Sequence, residues 1–224
     1  MKCIGIISAM WLEVKLIYKE MKEVEEVEHL GIKFYKGIIG NKNVILSSCG
    51  IGKVNAAIFT QIMIDKFNID SIIHTGVAGG LRDDIKQTDV VVANGLTYYD
   101  VRKEQLKNCF PYQEIFKTDE ALFNLVLKNA GDNVKSGLII TGDDFICEKE
   151  KKIKLKENYP NAVCVEMEGC AIANTAFINK IPIVVIRCIS DLADNSSNID
   201  YKKFEIIAAD KASKIVLKTL LNMD

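Results

Sequence analysis

Glu13, Glu166, Glu168 and Asp191 each follow a short apolar run in this chain. Two of them stand one residue apart in Val165-Glu166-Met167-Glu168-Gly169. An ionised carboxylate leaves water only at a cost of several kcal/mol, so acids in such places call for a partner or a task. Carboxyls at three separate strand ends, with no histidine cluster to ligate a metal, resemble the equipment for cleaving a glycosidic bond. One protonated carboxyl helps the leaving group depart, and one carboxylate activates water. A further anion that holds sugar hydroxyls stabilises the developing positive charge. Each acid taken singly has a plainer reading. Glu13 suits the first turn of a helix, and Asp191 could cap one. Glu166 and Glu168 could pair with Arg187, whose guanidinium sits in the apolar run 183–189 and needs an anion.

The elements that would position these groups follow from hydrophobic periodicity. Strands are expected at 2–9, 32–35, 44–48, 71–74, 89–93, 137–141, 162–165 and 181–189, and helices at 10–22, 53–67, 121–130, 148–157, 170–177 and 201–223. The acidic stretch 23–28 reads as a solvated edge. Segment 102–117, polar and aromatic without clear period, reads as a long surface excursion. Near-continuous apolar strands alternating with helices imply a largely parallel sheet covered on both faces. In such sheets ligands bind beyond the carboxyl ends of the strands. The segments at that rim are Ala9 to Glu13, Cys49 to Lys53, the glycine cluster 76–80, Gly142 to Ile146, the Glu166–Glu168 pair and Ser190 to Asp194. The rim gathers carboxylates, glycines and apolar side chains, with no histidine. Gly50-Ile51-Gly52-Lys53 lacks the serine or threonine of a phosphate loop, and 76–80 lacks dinucleotide spacing. Both read as turns where a ligand meets backbone. Within a helix Glu166 and Glu168 would point about 200° apart, whereas in an extended junction they would share a side.

Composition narrows the partners. The chain has 224 residues, 49% hydrophobic, which suits one α/β domain over 1–224. A net charge of −1 without a basic stripe argues against nucleic acid. No uncharged run is long enough to span a bilayer, and no signal peptide fits before the first strand, so the expected compartment is the cytoplasm. The seven cysteines form no C-x-x-C pair and fit a reducing environment. Two histidines argue against a histidine-ligated metal or a Ser-His-Asp triad, so no metal is expected.

With these residues in view, the chain resembles the 5′-methylthioadenosine/S-adenosylhomocysteine nucleosidases of the purine nucleoside phosphorylase superfamily, over nearly its whole length. The markers are Gly5-Ile6-Ile7 with Ala9-Met10 and Glu13, Ser48 to Val54, Thr75-Gly76 with Ala78 to Leu81, Gly142-Asp143 with Phe145-Ile146, Val165 to Glu168, and Arg187 with Ile189-Ser190-Asp191 and Ala193-Asp194. The resemblance implies a nucleoside phosphorylase-like fold, a three-layer α/β/α sandwich around a mixed, largely parallel sheet. It implies hydrolysis of the N-glycosidic bond of methylthioadenosine and S-adenosylhomocysteine, and of 5′-deoxyadenosine, releasing adenine. Glu13 is then the general base for water. Asp191 is the acid at purine N7, oriented by Ser190. Glu168 with Met167 holds the ribose, and Arg187 orders Glu168. Phe145 stacks near adenine, and the Ile146 backbone reads its edge. Met10, Ile51 and Tyr201 surround the ribose and the 5′ group, with Ala9, Val77, Gly79, Glu166 and Ala193 completing the substrate site. A homodimer is implied, with segment 101–117 near its interface. Water is the co-substrate and no cofactor is called for.

The chain departs from the family's pattern at three places. Trp11 and Leu12 replace acidic residues, Val77 replaces a common serine, and segment 101–110 lacks the usual histidine, leaving Phe110 to supply an aromatic wall. These bear on the 5′ substituent and keep a futalosine-type hydrolase as the alternative. Glu13, which would repel phosphate, favours hydrolysis over phosphorolysis. A non-catalytic nucleoside sensor would need no acid–base set.

Overall fold

A computed structural model describes residues 2–131 and 134–223. The chain runs β1 (Cys3–Ser8), α1 (Trp11–Glu20), β2 (Lys22–His29), β3 (Ile32–Ile39), β4 (Lys42–Ser48), α2 (Lys53–Phe67), β5 (Ser71–Gly80) and β6 (Val90–Tyr98). It continues with α3 (Lys103–Asn108), β7 (Phe116–Lys117), α4 (Glu120–Ala130), β8 (Val134–Thr141), α5 (Lys149–Asn158), β9 (Ala162–Glu166), α6 (Gly169–Asn179), β10 (Ile183–Asp191) and α7 (Ser197–Leu221). One mixed sheet has the order β10-β6-β8-β9-β5-β1-β4-β3-β2, and β10 also pairs with β5, so part of the sheet closes on itself. Pairing is parallel along β4, β1, β5 and β10 and along β6, β8 and β9. It is antiparallel at β5–β9, β6–β10 and the β2–β3–β4 meander.

The β-branched runs explain the central strands. All ten positions of β5 and all nine of β10 are buried, as strands covered on both faces must be. Ile7, Ile45, Ile72 and Val185 pack with Ala56 and Met63 of α2 and Ile172 and Ala176 of α6 on one face. Ile4, Ile6, Ile73 and Val184 pack with Val14 and Ile17 of α1, Val126 of α4 and Ala212 and Val216 of α7 on the other. This is a three-layer arrangement of helices on both sides of a mixed sheet.

Three elements differ from the sequence reading. Segment 23–28 is not merely a charged edge but most of β2, an exposed strand held by its antiparallel ladder to β3 and by Lys33–Glu26 at 2.7 Å across it. An edge strand of glutamates with its two valines three residues apart has neither alternation nor a buried face, so periodicity does not reveal it. Segment 102–117 contains α3 and β7, anchored by buried Leu106 and Phe116. The glycine cluster 76–80 is not a turn. It continues β5, since β10 pairs with it as far as Gly79 and β9 reaches Gly80.

Candidate active site

A cavity of about 390 Å³ opens at the carboxyl ends of β1, β5, β9 and β10. Its wall includes Ala9, Met10, Glu13, Ile51, Val77, Gly79, Phe145, Ile146, Glu166, Met167, Glu168, Arg187, Ser190, Asp191 and Tyr201, all anticipated from sequence. Ala193 alone stands outside the wall. Its backbone N–H donates to Asp191 Oδ1 at 2.9 Å, so it acts on that carboxyl rather than on the space. Ala78, Asp144 and Val165, from segments expected near the rim, also line the cavity, as do Asn198 and Lys202, which were not anticipated. Phe110 stays outside it, 71% exposed, because its segment is folded onto β6 and α5 through Leu106, Phe116 and the Lys103–Tyr159 contact.

Glu13 lies in the first turn of α1. Its carboxylate reaches back to the Met10 N–H (2.9 Å) and across to the Val77 N–H on β5 (2.9 Å). It is thus a helix-terminus acid and a cavity residue at once. Burial pushes its carboxyl up from the ordinary value, and the nearby Arg187 charge and these N–H groups pull it back. Gly76 makes this closeness possible. Its register partner on β10 is Arg187, and a Cβ there would lie 2.6 Å from Glu13 Oε1 and overlap the guanidinium.

Asp191 ends β10 just past an irregularity in the β5–β10 register, which follows Ile189. Ser190 Oγ donates to its Oδ2 at 2.9 Å. Burial pushes the Asp191 carboxyl up, against the Ala193 N–H and the hydroxyls of Ser197 and Ser190. A carboxyl held towards its protonated form is suited to give a proton.

The Glu166–Glu168 pair divides as its junction dictates. Glu166 closes β9, opposite Thr141 on β8. One of its oxygens accepts from the Thr141 hydroxyl, and the other from the N–H groups of Glu168 (3.0 Å) and Gly169 (2.7 Å) and from Arg187 Nη2. It therefore caps α6 and neutralises Arg187. Burial opposes its ionisation, but the guanidinium and the Thr141 hydroxyl hold it below the usual carboxylate range. Glu168 is the N-cap residue of α6. Its Oε1 accepts the Gly52 N–H at 2.9 Å, and its Oε2 lies 3.4 Å from Arg187 Nη2. Burial pushes it up to about 7 against the opposing Arg187 charge. Gly52 has φ +99°, a conformation that favours glycine, and this aims its N–H at Glu168.

Behind the wall stands His74, fully buried on β5. A site without histidine was expected, and that describes the lining but not the layer beneath it. Arg187 Nη2 contacts His74 Nε2, Glu166 Oε2 and Glu168 Oε2 together. Ligand atoms of His74, Glu166 and Glu168 lie within 4.8 Å of one another, the spacing of a cation site. Here the guanidinium nitrogen is the cation at its centre.

The rim is aromatic and pinned. Phe145 meets Tyr201 edge-on with centroids 5.8 Å apart, and Tyr201 Oη lies 3.3 Å from Met10 Sδ. Trp11 turns away from the lining to stack with Tyr18 and Tyr35 at 5.1 and 5.2 Å. Lys53 Nζ lies 2.5 Å from Asp100 Oδ2 and 3.4 Å from Asp143 Oδ2. The Lys53 N–H donates to Asp143, and the Asp143 N–H donates to Asp100. These bonds tie together the starts of α2, the segment after β6 and the loop after β8.

The model of the phosphorylase superfamily matches residues 3–221. The 5′-methylthioadenosine/S-adenosylhomocysteine nucleosidase of Staphylococcus carnosus is 38% identical over 98% of this chain and 100% of its own. The chain belongs to that nucleosidase family, within the phosphorylase superfamily. Solved structures agree. The nucleosidase of Neisseria meningitidis in complex with methylthio-immucillin-A superposes with a TM-score of 0.95 at 32% identity, covering 100% of both chains. A futalosine hydrolase mutant of Helicobacter pylori superposes with a TM-score of 0.91 at 30% identity, covering 98% of each chain. Membership of this nucleosidase family fits the chemistry of the cavity, in which Asp191, Glu13 and Glu168 face one space from three separate elements. Two groups here lacked a strong sequence signal. His74 is a polar residue in an apolar strand, the same cue that singled out Arg187. Thr141 offers no such cue.

Proposed function

We infer that the protein hydrolyses the N-glycosidic bond of 5′-methylthioadenosine and S-adenosylhomocysteine, and of 5′-deoxyadenosine, releasing adenine and the 5-substituted ribose. The observation that carries the mechanism is the convergence of Asp191, Glu13 and Glu168 on one cavity, with burial raising all three carboxyls. Asp191, held by Ser190, gives its proton to purine N7. The C1′–N9 bond then breaks with its electron pair leaving on the base, and positive charge grows on the ribose. Glu13 uses oxygen lone pairs not engaged by Met10 and Val77 to take a proton from water, whose oxygen bonds to C1′. Glu168 accepts from the ribose hydroxyls, and its negative charge favours the oxocarbenium-like state. Phe145 and Ile146 hold the adenine, while Met10, Ile51 and Tyr201 line the 5′ side. Arg187 is committed to Glu166, Glu168 and the Val77 carbonyl, so it is not free to hold phosphate.

The test is adenine release from methylthioadenosine in phosphate-free buffer. Free 5-methylthioribose is the expected product. A 1-phosphate sugar, formed only when phosphate is added, would overturn hydrolysis. The likeness to a futalosine hydrolase, with Val77 and the 101–117 segment, supports futalosine as the second substrate to assay.

We also propose a homodimer in the cytoplasm. Ile51, Val54 and Ile58 form an exposed stripe at 55, 69 and 47% that runs from the cavity lining along α2, and Phe110 and Tyr112 are exposed as well. Apolar surface of this kind suits a partner copy. A solution mass of one chain with full activity would refute the dimer. The unpaired cysteines suit a reducing compartment, and among the described residues no helix is long and apolar enough to cross a membrane. Recovery of the protein outside the cytosolic fraction would refute that placement.

A further inference from the structure

His74 takes no part in the chemistry above, yet it is buried directly behind the ribose-holding carboxylate. Its Nδ1 lies 2.8 Å from the Ile7 carbonyl oxygen on β1. A carbonyl oxygen only accepts, so Nδ1 carries the hydrogen. Its Nε2 faces Arg187 Nη2. A guanidinium only donates, so Nε2 must be the unprotonated acceptor. Both neighbours select the same neutral tautomer, and a second proton would set two N–H groups against each other beside a fixed positive charge. Burial lowers the His74 pKa and the Arg187 charge lowers it further. Neutral His74, 3.9 Å from Glu166, makes no ion pair with it.

We propose that His74 is a positioning residue for the hydrolysis: by accepting from Arg187 Nη2 it holds the guanidinium between Glu166 and Glu168, so that Glu168 meets the ribose as a carboxylate. Glu166 already accepts from Thr141 and two backbone N–H groups and draws Arg187 strongly. The contact to Glu168 is the longer one, at 3.4 Å. Nη2 has two hydrogens, which Glu166 and His74 take, so Glu168 meets the guanidinium as a charge 3.4 Å away, and without the acceptor that fixes it the guanidinium shifts towards Glu166 and away from Glu168. The groups facing Glu168 are Glu166 on β9, Arg187 on β10, Glu13 on α1, Cys49 after β4 and the Gly52 N–H before α2. Arg187 is the only cation among them, so its retreat leaves Glu168 harder to ionise. His74 lies on the strand carrying Gly76 and Val77, and so joins the base side and the sugar side of the cavity. The inference rests on the hydrolase reading for its kinetic arm only.

The test has two arms on the full chain. The first is the 15N spectrum of the imidazoles, which the presence of only His29 and His74 makes simple to assign. His74 is expected to remain the neutral Nδ1–H tautomer across the range in which exposed histidine titrates. An Nε2–H tautomer, or titration with an ordinary histidine value, would overturn the proposal whatever the enzyme does. The second arm compares His74→Leu, which removes the acceptor, with His74→Gln, which keeps one near the Nε2 position. His74→Leu is expected to lower kcat/KM about tenfold at neutral pH, with part of the loss in kcat, because Glu168 both holds the ribose and stabilises its developing charge. It is also expected to move the acid limb of kcat/KM to higher pH, and His74→Gln to reverse most of both changes. Equal behaviour of the two variants, or an unmoved acid limb, would overturn the proposal. If His74→Leu does not fold, wild type against His74→Gln and the imidazole spectrum still decide. Wild type releasing no adenine would refute the hydrolase reading and leave the first arm intact.

Discussion

Asp191→Asn isolates proton donation from everything else Asp191 does. The side chain is 1% exposed, and its oxygens meet Ala193 N–H and Ser190 Oγ, each at 2.9 Å. An asparagine of the same shape keeps both contacts. Its Oδ1 accepts from Ala193, and its Nδ2 donates to Ser190 Oγ, whose own hydrogen turns to the Ala78 carbonyl 3.4 Å away. Stability should therefore change by no more than about 1 kcal/mol. What is lost is the transferable proton. General acid catalysis contributes about 10²- to 10⁴-fold, so the barrier should rise by about 3 to 5 kcal/mol. An amide N–H can still donate a hydrogen bond to purine N7, so KM should move less than about threefold. The assay is initial-rate adenine release from methylthioadenosine, with thermal unfolding run on the same samples. A folded variant whose kcat stays within about threefold of wild type would refute the assignment of the acid, and with it the argument that burial prepares Asp191 to be protonated.

Other perturbations probe the remaining carboxyls and the space between them. Glu13→Gln turns an amide nitrogen towards one of the Met10 and Val77 N–H groups. It should cost about 1–3 kcal/mol in urea unfolding and lower kcat by about 10²-fold or more; wild-type turnover would remove Glu13 as the base. Burial pushes the Glu168 carboxyl up to about 7, above the ordinary carboxylate value, against the Arg187 charge. A raised value favours the folded state in its protonated form, so this stability is full below the unfolded value and is lost as pH rises through about 7. The ligand-free melting temperature should therefore fall across that window, and fall less steeply in Glu168→Gln; identical slopes would contradict the assignment. Gly76→Ala places a methyl against Glu13 and the Arg187 guanidinium. It should destabilise by about 1–3 kcal/mol and depress adenine release, whereas a neutral outcome would mean the two charged groups have room to move.

The charged groups of the cavity wall were legible because they interrupt apolar runs, whereas Met10, Ile51, Phe145, Ile146 and Tyr201 were named as site residues only through the family resemblance. Glu13, Glu168, Arg187 and Asp191 all carry that mark, and all line one space. The same logic reaches His74, which lies in the run 71–74, but a histidine can pack as a core residue without remark, and its partner Arg187 is distant in sequence. Thr141 and the Gly52 N–H act through backbone register and a left-handed turn, which side-chain pattern does not encode. Periodicity located most strands and helices, since each buries a face. It missed β2, whose side chains are mostly exposed, and α3 and β7, which are too short to establish a period. The extension of β5 through its glycines was hidden for a related reason. Glycine is a poor strand former in general and persists here because Arg187, Asp191 and Ala193 occupy the space its side chains would take.

The Lys53 cluster has an architectural consequence. Segment 101–115 leaves the sheet immediately after Asp100 and returns at β7, where Phe116 pairs with Leu96. Its departure point is clamped to Lys53 and Asp143, and its return point is sewn to β6. Both ends of the excursion are fixed by contacts outside it, and buried Leu106 holds its middle. Changes between those anchors that keep Leu106 buried leave Gly52 aimed at Glu168 and Phe145 at the rim. The fold thus separates the exposed positions of the excursion from the anchors that hold the site. Exposed positions such as Phe110 and Tyr112 can acquire new neighbours without any rebuilding of the cavity.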